Sequence, residues 1–106
     1  MVYETRKAAA AACIYEANAA KHYSKVAIEY AQRGECRRAW DMADTARTAA
    51  RCALQAHEDL WALAGETLTD EEFDAFEKAE IAQADATKAE RAAAAAVDQI
   101  MREARN

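Results

Sequence analysis

The feature that most restricts this chain is an absence: its 106 residues include no proline and only two glycines, Gly34 and Gly65. These are the residue types that most often interrupt helices, because proline removes a backbone donor and glycine loses the most conformational freedom on folding. Continuous helix is therefore the default, and the two glycines become the natural places for it to stop. Helices are expected over about residues 2–33, 35–64 and 70–104.

The start of the third helix carries the best local signal. Thr69 followed three residues later by Glu72 makes a capping box, Asp70 and Glu71 complement the positive end of the helix, and Leu68 is placed to staple against Phe73. Three helices of similar length with short connections pack most simply as an antiparallel bundle. The length suits one core. The expected fold is thus an all-α antiparallel bundle of three long alanine-rich helices, a single domain over residues 1–106, with oligomerisation as a further means of completing its core.

Of the 53% hydrophobic residues, 31 are alanine and only 13 are Leu, Ile, Val or Phe. So few large apolar side chains with a net charge of -5 would ordinarily suggest disorder. Two features oppose that: alanine is the strongest helix former, and the apolar positions recur with helical spacing. On helix 1 Ala10, Cys13, Ala17, Ala20, Ser24, Ala27 and Ala31 follow a three-four heptad of coiled-coil type. Helix 2 offers Ala39, Met42, Ala43, Ala46, Ala49, Ala50, Ala53, Leu60, Trp61 and Ala64 on one face. Helix 3 continues from Ala75 through Ala79, Ala82, Ala86, Ala89, Ala93 and Val97 to Ile100 and Ala104. Tyr3, Ile14 and Ile81 fall off these stripes, as an extra contact surface or as scattered exposed residues.

The acidic balance disfavours nucleic acid as a partner, since contact with phosphates needs clustered Lys and Arg. No apolar run is long enough to cross a membrane. The segment Arg6 to Tyr15, ended by Glu16, is too short and too rich in alanine for an export signal. Three cysteines, an odd number without metal-type spacing, suit reduced thiols and a cytoplasmic location. No cofactor is expected.

Two polar residues fall where the pattern expects burial, Glu16 on helix 1 and His57 on helix 2. Set level across the first turn they come within one helical turn of each other, and a buried carboxylate needs such a partner. A structural polar pair is the plain reading. Metal ligation by Cys13, Glu16 and His57 is the sharper one, although metal sites need three or four converging ligands. The Glu-x-x-His pairs of di-iron bundles are absent.

Arg33, Arg37, Arg38, Arg47 and Arg51, with Trp40 nearby, form a strip suited to an anionic ligand or RNA. Balance by Glu35, Asp41 and Asp44 makes it equally a solvated face. The acidic group of Asp70, Glu71, Glu72, Asp74, Glu77 and Glu80 serves helix capping, or else imitates nucleic-acid charge. No Gly-rich phosphate loop, serine-centred triad or Cys-x-x-Cys is present.

Two short resemblances remain. The turn from Tyr30 through Gly34 to Ala39, Ala43 and Ala46 resembles the inter-helix turn of tetratricopeptide hairpins, over less than a fifth of the chain. The helices, however, are too long for a repeat of about 34 residues. Arg51 and His57, with five residues between them, resemble the Arg-x4-6-His signature of HEPN ribonucleases, all-helical proteins that usually act as dimers and cleave RNA at the dimer cleft. That resemblance implies a ribonuclease, or an RNA-binding or anion-binding oligomer, using Arg51 and His57. Here Cys52 follows Arg51, where the family usually has a polar residue. The preferred expectation is a non-enzymatic helical interaction protein, an adaptor, inhibitor or assembly subunit, that docks a protein partner or a second copy through its helical faces.

Overall fold

A computed structural model describes residues 2–65 and 67–105. Three helices, α1 (Arg6–Gln32), α2 (Cys36–Ala64) and α3 (Asp70–Arg105), each pack against the other two in an antiparallel bundle. Because helices rise only about 1.5 Å per residue, this gives a rod, 59 × 21 × 16 Å.

Both glycines end helices. Gly34 adopts φ +75°, while its N–H donates to Ala31 O and that of Glu35 donates to Tyr30 O, at 3.0 Å each. Together they make a Schellman closure that satisfies the last carbonyls of α1. Gly65 adopts φ +68° after α2. The capping box at the start of α3 is formed in full: Thr69 N–H donates to Glu72 Oε1 at 2.9 Å, and Glu72 N–H donates to Thr69 Oγ1 at 3.2 Å. Phe73, the residue expected to staple against Leu68, stays 58% exposed.

Helix 1 begins four residues later than expected. Thr5 is its N-cap, accepting from Ala8 N–H through its hydroxyl at 3.1 Å. Val2 and Tyr3 instead run onto α2, where both backbone N–H groups donate to Asp59 Oδ2, at 2.9 and 3.0 Å. A cap and a buried carboxylate acceptor together outweigh the helix propensity of so short a segment.

Of the twenty buried hydrophobic residues among those described, eighteen are alanine; the others are Cys13 and Leu60. All but Ala64 fall in two clusters, one spanning the N-terminal part of α1, the C-terminal part of α2 and the start of α3, the other near the first turn. Each alanine withdraws little surface from water, so the seams work by close approach of backbones rather than by large side chains. Gln83 Nε2–H reaches the backbone carbonyl of Ala50 across α2 and α3, and the Cys13 thiol donates to Ala75 O at 3.2 Å across α1 and α3.

Two parts of the expected seams lie outside the bundle. Trp61 is 58% exposed, because an alanine seam leaves no room for an indole between the helices. Ile100 and Ala104 are exposed because α3, at 36 residues against 27 and 29, outruns its neighbours. No described helix is long and apolar enough to cross a membrane.

Candidate functional site

The alanine seam that excludes Trp61 also creates the most distinctive surface of the molecule. The turn around Gly65 returns the chain antiparallel, bringing Phe76 of α3 beside His57 and Trp61, which share one face of α2 at a spacing of four. The His57 and Phe76 rings lie 4.0 Å apart between centroids, and the Trp61 and Phe76 rings 5.7 Å apart, both pairs tilted at 44°. Both pairs are tilted between the stacked and edge-to-face arrangements that aromatic rings favour, with the rings in contact. Phe73, one turn earlier on α3, extends the aromatic surface and is also 58% exposed.

These rings border two adjoining hollows that share Phe76. One, of about 440 Å³, is lined by His57, Glu58, Trp61 and Phe76. The other carries Asp70, Asp74, Glu77 and Glu80 around Phe73 and Phe76. Neither is lined by a described lysine or arginine. Asp74 is paired with Lys78 at 3.2 Å, whereas Glu58, Asp70, Glu77 and Glu80 have no ion pair among the described residues. The expected acidic group is thus divided: Glu72 turns inward to Arg6, and most of the remainder rims an aromatic surface.

The expected Glu16 and His57 pair is not brought together. Both residues are half-buried, the His57 ring packs on Phe76, and its Nδ1 is buried without a hydrogen-bond partner. Glu16 lies instead near Tyr3, whose phenol is pushed up by burial first and then by the charges of Glu16, Cys52 and Asp59. On the same stretch of α2, Asp59 meets Val2 and Tyr3 while His57 packs on Phe76 of α3. Cys13 is likewise occupied by Ala75, and burial raises its thiol pKa to about 11. No cluster of three or more His, Cys, Asp or Glu side chains with metal-binding geometry occurs among the described residues.

The arginine strip is also divided. Arg47 leaves it for a bridge to α3: Nε donates to Glu90 Oε1 at 2.7 Å and Nη2 to Thr87 Oγ1 at 3.4 Å, holding the Glu90 carboxyl below its ordinary value. Arg33 and Arg38 lie over the Tyr30 ring, 5.9 and 5.8 Å from its centroid, and both pair with Glu35. Arg37 and Arg51 are exposed, and Trp40 is 37% exposed. Arg51 does not line the hollow that His57 borders.

Sequence reasoning missed the burial of Asp59 and the pairing of Arg6 with Glu72. Asp59 is 4% exposed and accepts from Val2, Tyr3 and Gln55. The backbone N–H of Tyr3 is the main cause that holds its carboxyl low. Arg6 pairs with Glu72, Nε donating to Oε2 at 2.9 Å, and its Nη2 also donates to the carbonyl of Thr67. Ser24, already placed in the helix 1 seam, is 3% exposed with its hydroxyl unpartnered.

Fold and surface together define a class: an all-α three-helix bundle with a thin alanine core and an aromatic face rimmed by carboxylates. Comparison with protein-family models, curated proteins and solved structures gives no match.

Proposed function

We propose that this chain is a non-enzymatic protein-protein interaction module, serving as an adaptor, inhibitor or assembly subunit, whose docking face is the aromatic surface of α2 and α3. One observation carries the reading: with only one large aliphatic residue fully buried among the described residues, Trp61 and Phe73 are each left 58% exposed. Contiguous exposed apolar surface favours association, and tryptophan and other aromatic anchors contribute disproportionately to interfaces. Exposed cysteine at position 52 and an odd thiol count suit a reducing, cytoplasmic setting. The ribonuclease alternative is weakened by the separate placement of Arg51 and His57, which do not line a common hollow.

The test places a photo-crosslinking benzoylphenylalanine at Trp61 and, separately, at the exposed Lys25 of α1. Irradiation in an extract of the source cells is expected to give a discrete adduct from the Trp61 position alone. Excess parent protein should compete it away, and Trp61→Ala protein should not. Identical adducts from both positions, or equal competition by Trp61→Ala, would overturn the assignment.

A further inference from the structure

The identity of the surface constrains what can cover it. Among the described residues the two hollows have aromatic walls, a carboxylate rim and no lysine or arginine. Glu58, Asp70 and Glu80 of the rim have no cationic partner among the described residues, and Glu77 makes no ion pair although it also borders a hollow lined by Lys21 and Lys78. A neutral apolar partner would cover the rings but would also bring these charges out of water without compensation, which is costly. An acidic partner, RNA or an anionic membrane would be repelled. Two copies of this chain set face to face would place one carboxylate rim against the other.

A cationic partner removes the conflict. Arginine is the best match among side chains, because its planar guanidinium stacks on aromatic faces while its N–H groups engage carboxylates. The Trp61 and Phe76 rings, 5.7 Å apart and tilted at 44°, offer such faces beside Glu58 and Glu77. We infer that the α2 and α3 face binds an arginine-bearing basic segment of another protein, with guanidinium groups seated on Trp61 and Phe76 and neutralised by the rim carboxylates. This deepens the interaction reading above and rests on it. It also gives the acidic group of α3 a role beyond capping: Glu72 and Asp74 are held by Arg6 and Lys78, and Asp70, Glu77 and Glu80 face the partner.

The experiment uses the full chain carrying Trp40→Phe, which leaves Trp61 as the only indole reporter. It is titrated with three short synthetic peptides: alternating arginine and alanine, the same peptide with glutamate for arginine, and a neutral amphipathic leucine-glutamine helix. The arginine peptide is expected to change Trp61 emission saturably, and the glutamate peptide to leave it unchanged. Raising salt from about 0.05 to about 0.5 M should weaken binding about tenfold or more, since the Debye length falls well below the size of the face. Glu58→Gln with Glu80→Gln, exposed changes checked for unaltered helicity, should weaken binding several-fold.

Trp61→Ala, followed by calorimetry, should weaken binding by about tenfold, the scale of a desolvated cation over an aromatic ring. Equal binding of the arginine and glutamate peptides, or no binding of the arginine peptide, would overturn the inference. Binding of the neutral helix alone would also overturn it while leaving a protein-docking face in place. Conversely, arginine-peptide binding with no position-specific crosslink at Trp61 would refute the docking reading separately. Self-association of the parent that Trp61→Ala abolishes would assign a second copy as occupant and so overturn the choice of a basic partner.

Discussion

Replacing Leu60 by alanine should cost more here than the same change in an ordinary core. Leu60 is fully buried, and its cluster is otherwise made almost wholly of alanine. The substitution removes three carbon groups, worth about 2.4 kcal/mol at roughly 0.8 kcal/mol per buried methylene. A cavity adds to this, and the total for leucine to alanine usually falls at about 2 to 5 kcal/mol, depending on how far neighbours collapse into the space. Alanine has no side-chain torsion that could swing a group into the void. The buried alanines could fill it only by movement of whole helices, which the Asp59 and Arg6 contacts restrain. The larger side chains packed on the cluster, Tyr3, Ile14, Leu63 and Phe76 among them, lie at its partly exposed edge. The expected loss is therefore in the upper half of that range, about 3.5 to 5 kcal/mol. A domain of this size is typically stable by only about 5 to 15 kcal/mol, so the variant should approach instability. Urea unfolding followed by helical circular dichroism measures it, and Leu60→Met, which conserves volume, should lose under about 1.5 kcal/mol. A loss below about 2 kcal/mol for Leu60→Ala, with the denaturant slope unchanged, would refute the claim that an alanine core cannot relax.

Two further outcomes are expected. The Arg6 guanidinium, followed by the Thr69 backbone N–H, lowers the Glu72 carboxyl from 4.5 to about 2. A folded-state value below the unfolded one stabilises the protein fully above about pH 4.5, and that contribution disappears as pH falls toward 2. Glu72→Gln keeps a side chain able to cap Thr69, so its unfolding midpoint should vary less across that window than the parent's; parallel profiles would contradict the linkage. In the folded protein a thiol reagent near pH 8 should label exposed Cys52 quickly and leave Cys13 protected until unfolding, because Cys13 is buried with its pKa at about 11. Equal labelling rates at Cys13 and Cys52 would show that the seam opens readily.

The helices were legible because they depend on local chemistry. Gly34, Gly65 and the Thr69–Glu72 box mark their ends through backbone requirements that three-dimensional packing need not modify. The placement of Trp61 and of the Glu16 and His57 side chains was less legible. An angular projection assigns residues to a stripe, but the closeness of an alanine seam decides which side chains fit between helices, and it expels the large ones. The same projection treats charged residues as solvent-facing, so it missed Asp59, whose burial depends on N–H groups supplied by Val2 and Tyr3 more than fifty residues away. The aromatic face itself depends on bringing residues 57–61 next to residues 73–80, which only the turn geometry can determine.

Several of the polar contacts that hold the bundle lie at the end that carries this face, beside the Arg47 and Gln83 contacts nearer its middle. Asp59 ties the start of the chain to α2 two residues before Trp61, and Arg6 ties α1 to Glu72 one residue before Phe73. Arg6 also reaches the carbonyl of Thr67 in the α2 to α3 connection. A core of alanine leaves helices free to slide unless polar contacts fix their register, because such small side chains interlock weakly. These contacts therefore fix the register where Trp61 and Phe76 must meet. A docking surface fixed in advance loses less conformational entropy when a partner arrives. Under the docking role proposed above, the buried carboxylates of Asp59 and Glu72 would act on recognition only through the register they hold, since neither lines the aromatic hollow bordered by Trp61 and Phe76.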